Sequence, residues 1–281
     1  MQTPGSEDVS GVPPGAAGPH TSRWVLAVLA LGVVALAGFF AIRWVSGSAR
    51  EVDIADVTTS AGTALASESA VLRPQQGVYL FSGTGTDRID RPPRTQAQGP
   101  SMPATVTHHD SGCWTFRIEY STNHWQSWDY CPQDGGMVER GGESYQRWDF
   151  GAFVNETTSS FECDAPTIRA DQEPGDEWTQ TCTGSSTGVE GTTTSEGPYR
   201  FVGTEDLEIG TETVVALRYH RERTNSGNQT GSEVSEVWFA ADTGMPLRNH
   251  RRLEATSSTV IGEVEYSEEG EFELTSLEAR R

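Results

Sequence analysis

Short runs in which apolar and polar residues alternate fill the chain from residue 77 onward. A period of two is the pattern of a β-strand with one buried face. Turn-forming residues separate the runs, and no stretch after residue 72 keeps a helical period. We therefore predict an all-β domain over residues 73–281, built as a curved antiparallel sheet that forms a half-barrel or a sandwich. The expected strands include 77–83, 104–109, 145–154, 159–163, 177–182, 199–203, 212–223 and 233–241, with a loop at 224–232 and a turn at 242–244.

Residues 113–131 begin and end with cysteine and predict a β-hairpin. A three-residue turn at 121–123 requires one left-handed residue, a conformation that Asn123 tolerates. This turn sets Cys113 opposite Cys131. A four-residue turn would place the two cysteines on opposite faces, where a disulfide cannot close without distortion. The turn and the cysteine pair therefore predict the same register.

This register gathers four aromatic side chains on one face of the hairpin, Trp114, Phe116, Trp128 and Tyr130. We take them as candidate ligand-facing residues, because an aromatic face on a concave sheet can hold a lipid. The alternative is an ordinary barrel or sandwich core, where aromatic residues also belong. Trp125 falls on the opposite face among polar neighbours, where an exposed Trp would indicate a contact surface.

The other two cysteines, Cys163 and Cys182, form a second close pair. Two close pairs are typical of disulfides formed in an oxidising compartment. A reduced cytoplasmic domain with free thiols or a zinc site is the alternative, but the sequence has no C-x-x-C motif and no histidine at ligand spacing beside these cysteines. We expect the bonds Cys113–Cys131 and Cys163–Cys182 in an extracytoplasmic domain.

A run without charge at residues 24–42 is long enough to cross a membrane. As a helix it spans about 28 Å, close to the roughly 30 Å hydrocarbon core of a bilayer. Trp24 and Trp44 lie at its ends, where interfacial anchors are expected. We predict one N-terminal transmembrane helix over residues 24–45.

The segments beside this span have a different composition. Residues 1–23 are rich in Pro, Gly and Ser and predict a disordered cytoplasmic tail. Residues 46–72 predict a juxtamembrane linker with room for a short helix at 63–71. A cleaved signal peptide that ends near 47–49 is the alternative, although its apolar core is normally shorter. Arginines on the two sides of the span do not favour a cytoplasmic N-terminus, whereas the cysteine pairs do.

Composition excludes several kinds of chemistry. The chain has 281 residues and a formal net charge of -20, and all 20 of its basic Lys and Arg residues are Arg. The absence of lysine from the sequence excludes Schiff-base catalysis and a phosphate-loop lysine. Nucleic acid is not an expected partner, because this negative charge would repel its phosphates.

No motif of a known catalytic site appears in the sequence. His108, His109 and Asp110 are adjacent, but neighbours in a strand point to opposite faces. We read them as a polar strand end and not as a metal site. We read the basic patch at 248–252 as a set of arginines that balance nearby acids. The prediction is a protein that is not an enzyme and that has neither cofactor nor metal.

The closing strands resemble those of a known group of proteins. Residues 236–248, EVWFAADTGMPLR, and 262–277, GEVEYSEEGEFELTSL, are similar to the ends of exported, membrane-anchored actinobacterial β proteins. These proteins are distantly akin to bacterial lipoprotein carriers and mycobacterial lipid-binding lipoproteins. The resemblance implies a curved antiparallel sheet with an apolar concave side. The chain departs from the lipoproteins by its predicted anchor, its two predicted disulfides, and its lack of a lipobox cysteine and of helices to cover the sheet.

These observations predict a single-pass membrane protein whose outer domain is a noncatalytic binding or scaffolding module of the cell envelope. Its partner would be an envelope lipid or another membrane protein. The alternative is an accessory or regulatory subunit that docks through its acidic β domain onto another membrane protein.

The cysteine pairing is directly testable. Reduction should shift the electrophoretic mobility of the chain, and peptide mapping should find two bonds, each within one close pair. Reduced thiols, or four sulfurs bound to a metal, would contradict both the compartment and the architecture.

Overall fold

The computed structural model describes residues 49–58, 72–259 and 262–280. The predicted cytoplasmic tail, the predicted transmembrane span at 24–45 and the predicted helix at 63–71 lie outside the described residues. Within the described ranges the helix is α1, Ile54–Thr58, whose five residues cannot cross a membrane.

The remaining elements are thirteen antiparallel strands. They are β1 (Gly77–Asp90), β2 (Pro93–Gln98), β3 (Ser101–His108), β4 (Trp114–Ser121), β5 (His124–Gln133), β6 (Gly136–Asp149), β7 (Val154–Ile168), β8 (Glu177–Ser186), β9 (Val189–Ile209), β10 (Glu212–Gly227), β11 (Gln229–Ala240), β12 (Pro246–Thr259) and β13 (Gly262–Leu274).

Nearly every strand pairs with its neighbours in sequence. The exception is β1, which pairs with β3 through residues 77–82 and with β2 through residues 85–90, in one continuous register. The strands β2 and β3 therefore act as a single strand that is interrupted at Gly99 and Pro100. Counted in this way, twelve strands follow one another around the sheet.

The first and last strands also pair, so the sheet closes into a barrel. The register of β1 with β13 runs from Phe81 opposite Leu274 to Ile89 opposite Tyr266. The prediction of an all-β, curved antiparallel sheet is confirmed. The prediction of a half-barrel or a sandwich is wrong, because these two edges satisfy each other's backbone hydrogen bonds.

The β4–β5 hairpin has the predicted register along most of its length. Its cross-strand pairs include Trp114 with Tyr130 and Phe116 with Trp128. The predicted turn is wrong, because Ser121 pairs with His124 and leaves Thr122 and Asn123 as a two-residue turn. The additional residue is Tyr120, a bulge between Glu119 and Ser121. The bulge restores the register that the three-residue turn was expected to set.

Both predicted disulfides are confirmed, and all four cysteines take part in them. Cys113 and Cys131 are bonded across β4 and β5, and Cys163 and Cys182 across β7 and β8. Each bond therefore joins two strands that are already neighbours in the sheet.

The barrel interior changes in character along its length. On β10 the inward-facing side chains pass from Tyr219 to Arg221 and Arg223, and on β13 they pass from Phe272 to Glu268. One end of the barrel is therefore an aromatic core and the other end is polar. The large fully buried side chains include Trp114, Tyr199, Tyr219, Phe81, Phe116 and Phe239.

Two predicted elements differ from the structure, and the polar end explains the first of them. Residues 224–232 were expected to form a loop, but β10 and β11 extend through most of this segment and turn at residue 228. Their inward side chains face a polar interior, so the strands show no apolar alternation. Residues 145–154 were expected to form one strand, but β6 ends at Asp149 and β7 begins at Val154.

The chain enters the domain at the polar end. The Arg50 backbone N–H donates to Thr122 Oγ1 at 3.0 Å, and the Thr122 N–H donates to the Arg50 carbonyl at 2.8 Å. Val52 is buried nearby in the sequence. Residues 49–52 are thus fastened to the domain at the β4–β5 turn.

We expect the bond between Cys113 and Cys131 to contribute about 3 kcal/mol to the free energy of unfolding, because it closes a short loop in the unfolded chain. The double Ala variant, measured by denaturant unfolding, should lose that amount. The control removes Thr115 and Asp129, a hydrogen-bonded side-chain pair across the same two strands, and should lose only about 1 kcal/mol. Equal losses in the two variants would contradict a special role for the bond.

Candidate functional site

The polar end of the barrel encloses a cavity of about 290 Å³. This is far more than the roughly 10–15 Å³ that a single water requires. The aromatic half, in contrast, leaves a cavity of only about 20 Å³ beside Phe116 and Tyr199. Inside the barrel, space for a ligand therefore lies at the polar end. A separate pocket of about 450 Å³ lies at the opposite rim and is bordered by Tyr79, Ala240 and Leu274.

Small hydroxyl side chains form much of the cavity wall. They project from β6 to β9 and include Ser144, Thr157, Ser159, Ser186, Thr193 and Ser195. Trp148 and Tyr266 add two aromatic rings, which meet edge to face at 6.5 Å between centroids. Short side chains at these inward positions leave room that longer ones would fill.

Three arginines line the deep part of the cavity, two from β10 and one from β12. Arg221 and Arg223 are two residues apart on one strand, so both face inward. Arg221 Nη2 donates to Glu233 Oε1 at 2.5 Å, and its Nε donates to Ser235 Oγ at 3.1 Å. Burial acts to lower the pKa of Arg221, but Glu233 outweighs this effect and raises it.

Arg251 shares Glu233 with Arg221. Arg251 Nη2 lies 3.5 Å from Glu233 Oε2, and Nη1 lies 3.5 Å from Glu268 Oε2. Burial acts to raise the pKa of Glu233, but Arg221 and Arg251 hold it well below its usual range. Glu233 is therefore ionised and is held between two guanidinium groups.

Arg223 is the least well paired of the three. Its Nη2 donates to Gln180 Oε1 at 2.9 Å, and its nearest carboxylate oxygen belongs to Glu139, 3.9 Å away. Its Nε is buried and has no partner in the described part of the chain. Burial and the charge of Arg221 both lower the pKa of Arg223.

A second buried cluster centres on the carboxylate of Asp87. Asp87 accepts hydrogen bonds from His124 at 3.0 Å, Gln98 at 2.8 Å, Gln96 at 3.2 Å and Tyr266 at 3.1 Å. Burial acts to raise the pKa of Asp87, but His124 and the hydrogen bonds lower it. Burial likewise acts to lower the pKa of His124, and Asp87 outweighs this and raises it. The pair is therefore a buried ion pair.

Two clusters have the residue types of a metal site. Ligand atoms of Asp87, His124 and Glu268 lie within 4.8 Å of one another. Gln98 Nε2 donates to Asp87 at 2.8 Å and to Glu268 at 3.5 Å, and it lies 3.3 Å from His124 Nδ1, so a metal ion would have to displace this amide. In the other cluster, Cys163 and Cys182 lie near Glu139, but both sulfurs belong to a disulfide and cannot act as thiolate ligands.

The structure places the four predicted ligand-facing residues in the barrel interior. Trp114 and Phe116 have no exposed surface, and Trp128 and Tyr130 are 6% and 4% exposed. Among them, Trp128 alone also borders the polar cavity. Contact of these residues with a ligand stays a prediction.

Trp125 lies apart from these four residues. It is half-buried, stacks on Tyr145 at 5.9 Å between centroids, and carries the Arg117 guanidinium 3.8 Å above its ring. Its proposed role as a contact surface also stays a prediction.

The histidines singled out in the sequence have separate partners. His108 Nε2 is hydrogen-bonded to the Pro74 carbonyl at 2.8 Å, and His109 Nε2 to Thr115 Oγ1 at 2.7 Å. The basic patch at 248–252 divides between the two faces of β12. Its inward member is Arg251, while Arg252 pairs with Glu254 on the outside at 2.8 Å.

Sequence reasoning missed the arginine cluster, although a signal was present. Tyr219, Arg221 and Arg223 share one parity on β10, so an aromatic residue that faces inward requires the two arginines to face inward as well. Extending the alternation of inward-facing residues beyond Tyr219, the last apolar one, would have identified both arginines.

Comparisons with known proteins add little. No protein-family model matches the chain, and a search of curated proteins gave no match. Among solved structures the chain is similar to the hypothetical lipoprotein YmcC from Escherichia coli, with a TM-score of 0.29 and 12% sequence identity over 78% of this chain and 97% of that one. Similarity at this level carries no functional argument, and the resemblance to actinobacterial envelope proteins stays a prediction.

The ion pair between His124 and Asp87 predicts a dependence of stability on pH. Because the pKa of His124 is raised on folding, its contribution is complete below its unfolded pKa of about 6.5 and is lost as the pH rises through its folded pKa. His124→Gln should lower the free energy of unfolding by about 3 kcal/mol at pH 6, and by less at pH 9.

The control for this measurement is His250→Gln, because the His250 side chain is 49% exposed. Its effect on the free energy of unfolding should be smaller than that of His124→Gln at pH 6. A loss in His124→Gln that grows with pH would contradict the assignment of a charged histidine.

Proposed function

We propose that the barrel is a noncatalytic binding module of the cell envelope and that its ligand occupies the polar cavity. The observation that carries this proposal is the contrast between the two ends of the barrel. Inside the barrel the aromatic core leaves only about 20 Å³, whereas the polar end holds about 290 Å³ lined by donors and acceptors. Binding sites are concave and largely preformed, with a few convergent polar groups.

The pairing of the ionisable groups supports binding over catalysis. General acid–base catalysis requires a group that titrates near the working pH and that faces the substrate. The Glu233 carboxylate is held ionised by its arginines, and guanidinium groups do not act as bases. His124 Nδ1 is engaged with Asp87.

The rigidity of the barrel also supports a binding role. The bond between Cys163 and Cys182 fixes β7 to β8, and Cys182 itself borders the cavity. Closure of the sheet fixes the remaining wall. A preformed site avoids part of the entropy cost of ordering the protein around its ligand.

For a lipid ligand, the proposal places the polar part in the cavity. Inside the barrel an acyl chain has no matching space, because the cavity of the aromatic core, about 20 Å³, is the size of a single water. We further propose that the predicted membrane span at 24–45 holds the domain at the extracytoplasmic face, in agreement with its two disulfides.

The test is to block the cavity. Thr157 lines it, whereas the next residue, Thr158, lies opposite Tyr145 and faces outward. The full chain, purified from its native membrane, should retain a bound ligand that mass spectrometry detects. Thr157→Trp should lose this ligand, and Thr158→Trp should keep it.

The contrary outcomes are equally specific. A ligand that survives Thr157→Trp would place binding outside the cavity. A chain that carries no ligand but crosslinks to one membrane protein in native membranes would favour an accessory subunit.

A further inference from the structure

We infer that the cavity recognises a phosphate group, with Arg223 as its main contact and Arg251 as a second. This inference rests on the proposed function and names the chemical class of the ligand. The phosphate belongs either to a soluble ligand or to the headgroup of a membrane lipid.

Arg223 lacks partners for several of its hydrogen-bond donors. Its side chain is only 7% exposed, and a buried guanidinium needs partners for its five N–H donors. The contacts found for it are one hydrogen bond, to Gln180, and one distant carboxylate, that of Glu139 at 3.9 Å. The Nε donor, which is buried, has none. A guanidinium in this condition is a ready site for an oxyanion, which accepts bidentate hydrogen bonds.

Arg251 has one unmet donor of the same kind. Its side chain is 12% exposed, and its Nε is also buried without a partner in the described part of the chain. Its other nitrogens are engaged, because Nη1 donates to Gln126 Oε1 at 2.5 Å and the carboxylates of Glu233 and Glu268 lie at 3.5 Å. Arg251 can therefore add one donor, its Nε, to those of Arg223.

The charges around the cavity are close to balance, so the unmet donors of Arg223, and not an excess of charge, favour an anion. Three arginines line the cavity together with Glu233 and Glu268. A third carboxylate, that of Glu139, lies 3.8 Å from Arg221 and 3.9 Å from Arg223. The low surrounding dielectric strengthens each hydrogen bond that Arg223 gives to an anion.

The hydroxyl wall favours phosphate over a carboxylate. A phosphate carries more acceptor oxygens than a carboxylate, so it can use further donors once the arginines are engaged. Hydroxyl groups supply such donors along β6 to β9, for example from Ser144, Thr157 and Ser195.

Two sources of phosphate fit the position of the cavity. Residues 49–50 contact the β4–β5 turn at the polar end of the barrel. In the sequence, the predicted membrane span at 24–45 ends shortly before these residues. A lipid phosphate is therefore one source, and a soluble phosphorylated ligand is the other.

The experiment measures binding of inorganic phosphate to the full chain in a non-ionic detergent, by calorimetry at constant ionic strength in a phosphate-free buffer. We expect saturable binding to the wild type. Arg223→Gln should weaken it at least tenfold. Arg252→Gln is the matched control, because Arg252 is an exposed arginine, 67% accessible, on the outer face of β12, and it should bind as the wild type does.

A second arm identifies the source. Native mass spectrometry of the detergent-solubilised chain compares phosphatidylglycerol with diacylglycerol, which lacks the phosphate and should not be retained. Retention of phosphatidylglycerol that is lost in Arg223→Gln assigns a lipid phosphate. Binding of inorganic phosphate without retention of this lipid assigns a soluble ligand.

Failure has distinct meanings. If the wild type binds neither phosphate nor phosphatidylglycerol, or if Arg223→Gln binds them equally well, the inference is overturned. If the ligand blocked by Thr157→Trp is nonetheless found and carries no phosphate, the proposed function stands alone. Should Arg223→Gln fail to fold, Arg251→Gln replaces it, and the absence of saturable binding to the wild type remains decisive.

Discussion

The hydrogen-bonded pairing of β1 with β13 is the constraint on which the interior depends. Without it the sheet would be open, and its inner face would require a second sheet or helices to cover it. With it, side chains from opposite walls cover one another, and Tyr130 of β5 packs against Phe239 of β11 at 5.9 Å between centroids. Closure also creates a lumen with two ends. The sequence places aromatic side chains at one end and charged side chains at the other.

At one end the lumen is filled, and at the other it stays open. Along β10 the change takes place within two residues, from Tyr219 to Arg221. Charged side chains at such a depth are stable only when they are paired, and Glu233 between Arg221 and Arg251 meets this condition. Arg223 meets it incompletely. The chain accepts an unmatched buried donor at the place where the cavity offers access to a ligand.

Much of the fold was predictable, because the alternation of apolar and polar residues and the spacing of the cysteines indicate which neighbouring strands pair. The β4–β5 register and both disulfides followed from side chains that face each other. Closure was not predictable, because no local pattern states that β1 will meet β13. The strands at 224–232 were not predicted, because polar residues such as Asn225 face inward there and the sequence shows no alternation of apolar and polar residues. The site was not predicted for the same reason. In the sequence, Arg221 and Arg223 resemble solvated arginines on an outer face, and only their alternation with the inward-facing Tyr219 shows that they face the interior.

The neighbour-to-neighbour order of the strands has a consequence for biogenesis. Hairpins can form as soon as they emerge, since their contacts are local, but the seam joins segments from opposite ends of the domain. Closing such a long loop is slow. Until the last strand is available, the nascent sheet exposes two unsatisfied edges, and such edges invite aggregation. A chain truncated before residue 262 would lack β13 and would leave the edges of β1 and β12 without this partner.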